Sequence, residues 1–515
     1  MKAFVPGSLS AQHQRLLQRL SDRLEAVTDR QLVFFSAAWV LAGGLVLQLV
    51  LLPYVFPQFH WGHGLILDQD SRGFHLFALE NADKIRAQGW SAWEWTPETS
   101  VIALASALYV LVWPEPWVVL PVNALLFAAA IWAVRRALAI TFDSGAVGLA
   151  AVLPFFLYPS FVPIWGQLHR DVNTGAGFCL VLCGLVLAGH KGPRSASFWS
   201  AVLVALAGTT LILLSRTHAA AVVAAGTVAY AVLVLLTPRV ERLRVIIIAA
   251  VVVVAAASSI SSWSTRFLFT APPAPPVPAS IPVPEVDAAP PGSSGTPGSS
   301  ATRATPAPQP ADEPAGISDG SSFQLPRLQR VDRQVRGVNY CLPAPTDNIY
   351  DRLLYGLCYV REGFVADSTR LGAASGYDFD VRLRTTGDFV AYGPRALTVA
   401  LLEPGPGRWL RETTPIGTLG RYLVPFEMIV AYGCFVLAAV FGYRAFRRAE
   451  VWALLMFCLT YILVFVTATS QMGTLYRMRA FAFGIVVSTA LAAVFAGLQG
   501  SLNRAAANSR AEARP

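Results

Sequence analysis

Charge is what this chain has least of. Only 14% of its 515 residues are Asp, Glu, Lys or Arg, against 54% hydrophobic, and the mean hydropathy is +0.50. Soluble globular chains carry roughly a quarter charged residues, so the balance implies an all-α polytopic membrane protein. Also missing are a glycine-rich phosphate loop, a Cys/His cluster with zinc spacing and a GxSxG nucleophile elbow. Their absence argues against cytoplasmic nucleotide-driven catalysis. No short apolar segment followed by a small-residue cleavage site opens the chain, so the first span is expected to stay as an anchor.

Cysteine is scarce too. Of six, Cys179, Cys183, Cys434 and Cys458 lie in apolar segments, where a thiol acts as a small packing group. Cys341 and Cys358 fall in the one long polar region. A disulfide between them fits if that region lies outside the cytoplasm; two unpaired thiols are the alternative.

What the chain does have is apolar runs of about twenty residues, the length needed to cross a bilayer. They predict ten spans, near 31–53, 117–138, 145–161, 172–189, 198–215, 218–237, 243–263, 422–443, 450–468 and 479–499. The formal charge of +9 is spread as short Lys/Arg clusters in alternate connections, a topology signal rather than a nucleic-acid footprint. Arg135/Arg136, Lys191/Arg194, Arg239/Arg242/Arg244 and Arg444/Arg447/Arg448 mark the inner side, together with both termini. Both the N- and C-termini are therefore expected to be cytoplasmic.

Segment 1–30 holds leucines at helical spacing flanked by Arg15, Arg19 and Arg23, which predicts an amphipathic helix on the cytoplasmic membrane surface, with a coiled interaction helix as alternative. An N-terminal module of seven spans covers 31–263. Its first outer loop, 64–116, is expected to hold two interfacial helices, near Gly73–Gln88 and in "SVIALASALYVLVWPEP", anchored by Trp90, Trp93, Trp95, Trp113 and Trp117. Residues 264–326 are rich in Pro, Ala, Ser and Gly and predict a disordered tether. Residues 327–421, with aromatics and turn signals, predict a small ordered cap over the outer membrane face. Three spans over 422–499 and a cytoplasmic tail, 500–515, complete the chain.

The unusual polar groups gather at outer span ends. "LILDQDS" places Asp68 and Asp70 where the first span finishes; they read either as a catalytic acid pair or as a solvated acidic loop. His75 follows them. "GQLHRDVNT" puts His169, Arg170 and Asp171 at the start of a span, and "LLSRTHAA" adds Arg216 and His218. Charges there face a wet cavity or one another. Arg477 and Arg479 stand at the last outer turn, where guanidiniums either meet an anion such as a lipid phosphate or snorkel as anchors. Arg395, in the cap region, is a further phosphate-site candidate. Two carboxylates one residue apart could also hold a divalent cation such as Mg or Mn through oxygen ligands.

The order of an acidic motif after the first span ("LILDQDS"), a surface helix ("GFHLFALENADKIRAQGW"), a second interfacial helix and a span beginning "PEPWVVLPVNALLFAAA" resembles the membrane glycosyltransferases of the C superfamily. These include bacterial relatives of protein mannosyltransferases and the lipid A aminoarabinose transferases. The resemblance covers about 31–263, and the rest by layout, with a large outer loop after span seven. Ten spans are fewer than the family commonly shows, and no soluble C-terminal domain follows. The resemblance implies that Asp68 or Asp70 is the catalytic acid, with Asp68, nearer the first span, preferred as base. It implies that Arg477 and Arg479 hold a lipid phosphate. The stretch "YGPRALTVALLEPGPGRWL" looks like outer-loop segments from bacterial polysaccharide gene clusters, which points to a glycan or lipid acceptor.

The expectation is therefore a periplasmic-side inverting glycosyltransferase using a polyprenyl-phosphate-linked sugar donor in envelope or exopolysaccharide assembly. Its partners would be the donor, the acceptor, membrane lipids and other polysaccharide-assembly proteins, without nucleic acid. Two alternatives are a polymerase or ligase acting on lipid-diphosphate glycans and a lipid-linked glycan flippase or transporter. A scaffold with a recruiting Pro-rich arm would explain the tether but not the Asp68 region.

Overall fold

The computed structural model describes residues 11–67, 69–95, 99–190, 198–237, 241–267, 341, 349–370, 376–409 and 415–512. All belong to one compact unit, Met1–Phe269 with Asn339–Pro515. The tether expected at 264–326 and the start of the cap lie almost wholly outside the described residues, as does Asp68.

The chain is mostly helical. Among the described residues, eight helices are long and apolar enough to cross a membrane. This makes it a multi-pass membrane protein. Helix α1 (Ala11–Glu25) precedes α2 (Asp29–Val46), which Thr28 and Gln31 start with a reciprocal capping box. At Leu47–Val55 the helix widens to a π-helical turn around Pro53, whose missing N–H removes a helical bond. A two-stranded hairpin follows, β1 (His60–Gly62) and β2 (Leu65–Ile66). His63 and Gly64, both at positive φ, make the turn. Gly64 is required there, because a Cβ would land 2.6 Å from the Gln48 side chain.

Next come the two helices expected in the first outer loop, α3 (Gln69–Gln88) and α4 (Ser100–Leu111), which pack on each other through Ala78, Ala82, Val101, Ala105 and Tyr109. Trp90, Trp93, Trp95 and Trp113 stay exposed around them. Helix α5 (Leu120–Thr141) returns across the membrane.

The single span expected at 145–161 is instead three short helices, α6 (Gly145–Ala151), α7 (Leu153–Leu157) and α8 (Phe161–Trp165). Pro154, Pro159 and Pro163 cannot donate backbone hydrogen bonds and break the run. Helices α9 (Asp171–Gly189), α10 (Phe198–Ser215), α11 (Thr217–Leu235) and α12 (Arg242–Phe267) then pack in sequence. The α9–α10 crossing is close because Gly177 and Gly208 face each other; a Cβ on either would come within 2.6 Å of the other's carbonyl oxygen.

From the long polar region between the spans, α13 (Ile349–Arg370), α14 (Thr386–Leu402) and α15 (Pro406–Trp409) are described. A disulfide joins Cys341 to Cys358, with the Cα atoms 5.7 Å apart. The last helices are α16 (Pro415–Phe441), α17 (Ala449–Ala468) and α18 (Met472–Glu512).

Helix C-termini leave unpaired carbonyls, and arginines from distant elements take several of them. Arg448 donates to Thr141 O at 3.1 Å, closing α5. Fully buried Arg361 donates to Val466 O, Thr467 O and Thr469 O at 3.2–3.5 Å, closing α17, and to Asp378 O at 2.7 Å. Cationic side chains also suit the negative end of the helix dipole.

Candidate functional site

The site forms where four helix beginnings meet. Gln167 accepts from Ile66 N at 3.1 Å and donates to Gly64 O at 3.0 Å. Asn123 on α5 donates to Trp165 O and Gln167 O, both at 2.9 Å. These bonds pin the hairpin against the 166–170 segment, so the first turn of α3, with Asp70, stands beside the first turn of α9, with Asp171. Arg216, at the start of α11, and Arg477, in the second turn of α18, complete the group.

Asp171 is buried and is the hub. Its Oδ1 accepts from Arg216 Nη2 at 2.6 Å; its Oδ2 lies 3.0 Å from Arg477 Nε and 3.4 Å from His169 Nδ1. Arg477 Nη2 in turn donates to Asp70 Oδ2 at 2.7 Å, and its Nη1 lies 3.4 Å from His169 Nε2. Asp70 is only half-buried, so this end of the cluster opens outward. His218 feels the charges of Arg216, Arg170 and Asp171 and packs its ring on Phe465.

Arg170 differs from the other two arginines. Among the described residues it has no hydrogen-bond or ion-pair partner; its guanidinium lies over the Phe74 ring at 5.8 Å. Burial and then the neighbouring Arg216 lower its pKa, while Asp70 and Asp171 act to raise it. Among the described residues, three guanidiniums stand against two carboxylates here. Such a group attracts an anion and holds a carboxylate at its rim.

No family model, curated protein or solved structure matches this chain. What it does must therefore be argued from its own side chains.

Seven of the expected site residues come together: Asp70, His169, Arg170, Asp171, Arg216, His218 and Arg477. Three do not. Arg479, two positions beyond Arg477, is buried and donates to Val399 O at 2.7 Å, Ala400 O at 2.8 Å and Glu403 O. Its place is at the end of α14, away from the cluster. Arg395 pairs with Asp378 at 3.0 Å and Glu403 at 3.6 Å. There burial works against the Asp378 charge, but hydrogen bonds from Arg395 and Tyr392 outweigh it and hold the carboxyl below its ordinary range.

His75 belongs to a separate histidine group. Its Nδ1 meets Tyr109 Oη at 2.8 Å, and its ring lies 4.9 Å from that of His63, which pairs with Glu115 at 3.0 Å. Burial, then His63, lowers the His75 pKa to about 4. In the unfolded chain the same ring titrates near 6.5, so between these values the unfolded state binds more protons. Stability is expected to fall as pH drops from about 6.5 towards 4. Thermal unfolding across that range should show the slope, and His75→Gln should flatten it.

Among the described residues no three His, Cys, Asp or Glu side chains converge as a metal site. A divalent cation such as Mg or Mn wants a surplus of oxygen donors. Asp70 and Asp171 both already accept from arginine, so these two carboxylates do not fit such an ion; Asp68, the other expected oxygen ligand, lies outside the described residues.

Sequence reasoning passed over Glu427. It is buried within α16 and accepts from Ser160 N at 2.6 Å, Ser160 Oγ at 2.9 Å and the Tyr476 hydroxyl. A cavity of about 10 Å³ lies among Tyr158, Ser160, Glu427, Tyr476 and Arg479, room for one water. A lone acid inside "LVPFEMIVAYGCF" was the available signal.

Proposed function

We propose that this protein is a bacterial inner-membrane glycosyltransferase. It moves a sugar from a polyprenyl-phosphate donor to a glycan or lipid acceptor on the periplasmic side, with both termini cytoplasmic. The observation that supports the reading is the contact of half-buried Asp70 with Arg477 in a cluster that also holds Arg170 and Arg216.

Inverting transfer needs those two chemistries side by side. A carboxylate takes the acceptor hydroxyl proton as its oxygen attacks the anomeric carbon. As that bond forms, the bond from the same carbon to the phosphate oxygen breaks, and the electron pair leaves with the lipid phosphate, where cations stabilise it. Asp70 serves as base, with Asp68 as its neighbour in the same motif. Arg170, with no ion-pair partner among the described residues, takes the phosphate; Arg216 and Arg477, held by Asp171, set the field around it.

The test is the purified protein in vesicles with a radiolabelled sugar on polyprenyl phosphate. Label transferred to an added glycan or lipid acceptor is the expected result. Transfer only from a diphosphate-linked glycan would move the assignment to a polymerase or ligase. Label crossing the bilayer with no glycosidic bond made would replace it with a flippase.

A further inference from the structure

Helix α14 has apolar residues on both faces. One face, with Tyr392, Ala396, Val399 and Ala400, is buried and packs on the span α17. The opposite face carries Val390, Ala391, Pro394, Leu397, Thr398 and Leu402, with Val390 70%, Leu397 42% and Leu402 45% exposed. The helix's two charged residues are both engaged: Asp388 caps its start with Thr385, and Arg395, at the border of the exposed face, reaches Asp378 and Glu403. A helix between protein and water shows polar residues on its outer face; one that is apolar all round has an apolar surrounding.

Two further observations fit that surrounding. The last carbonyls of α14 are taken by side chains from two membrane spans: Val399 O and Ala400 O by Arg479 of α18, and Leu402 O by the Tyr432 hydroxyl of α16 at 2.6 Å. Water would satisfy these carbonyls at an exposed helix end, whereas in hydrocarbon the protein must do so. The Tyr432 bond also joins α14 to the span whose outward row, Tyr422, Phe426 and Ile429, is exposed and apolar. At 17 residues, about 25 Å, α14 falls short of the ~30 Å hydrocarbon core.

We infer that α14 is not part of a water-exposed cap but lies along the bilayer leaflet on the Arg477 side, with Val390, Leu397 and Leu402 against lipid acyl chains. This is independent of the glycosyltransferase reading and stands or falls separately.

A photo-crosslinking benzoylphenylalanine at Val390 or at Leu397, in the full chain reconstituted in phosphatidylcholine vesicles, tests it. Ile429 on α16 serves as the lipid-facing control and Arg384, before the helix, as the water-facing one. Lipid adducts at Val390 and Leu397, as at Ile429, and their loss at Arg384 are expected, read by mass spectrometry. Adducts at Ile429 with none at Val390 or Leu397 would overturn the inference. So would a crosslinked dimer from either position, since a second copy would then cover this face. Both positions are exposed, so the substitutions leave the packed face of α14 intact, and unchanged thermal unfolding confirms it.

Discussion

Asp171→Ala is expected to destabilise the protein by about 3–5 kcal/mol, the cost of leaving a buried ion pair half-removed. The carboxylate sits 2.6 Å from Arg216 and 3.0 Å from Arg477, and both Arg216 and Asp171 are almost fully shielded. Without it Arg216 and Arg477 lose the buried carboxylate that lies between them. Thermal unfolding in detergent is the measurement. Adding Arg216→Met to Asp171→Ala should recover part of the loss, because removing both members of a buried pair costs less than removing one. A single variant as stable as the parent would mean that Asp171 does not hold the cluster together.

Asp70→Asn should separate chemistry from folding. The Asp70–Arg477 pair is partly exposed, with side-chain exposures of 35% and 21%. Such pairs contribute about 0–1 kcal/mol, and Arg477 keeps Asp171 when Asp70 is neutralised. Stability should therefore change little. Loss of a general base lowers turnover by roughly 10²–10⁴-fold, and this is the expected effect on sugar transfer from polyprenyl phosphate. Unchanged transfer would remove Asp70 from the mechanism and leave Asp68 to be tested in the same way.

Much of the membrane architecture was legible in the sequence. Runs such as those of α9, α10 and α17 are long, apolar and nearly free of charge, and hydropathy suffices to find them. The run at 145–161 passed the same test yet folds as three short helices, because hydropathy counts proline as tolerable while the hydrogen-bond ladder does not. The candidate site was legible in part for a similar reason: a charge at a span end is costly, so His169, Arg170, Asp171, Arg216, His218 and Arg477 stood out.

Sidedness could not show which of these groups meet. Arg477 and Arg479 look equivalent in "LYRMRAF", but two residues turn an α-helix by about 200°. One guanidinium therefore faces Asp70 and Asp171 while the other faces the end of α14. Glu427, in the middle of an apolar run, gained its meaning only from Ser160 and Tyr476, which come from two other parts of the chain.

By itself, the sequence determined that this is a multi-pass helical membrane protein with its charged side chains concentrated at span ends, since both follow from the cost of taking polar groups into hydrocarbon. Only the tertiary structure decided that Asp70 meets Arg477 across 407 residues, that Asp171 lies between two arginines, and that Arg479 closes a helix. Those contacts depend on helix rotation and on the order in which spans pack, and neither is written in local hydropathy.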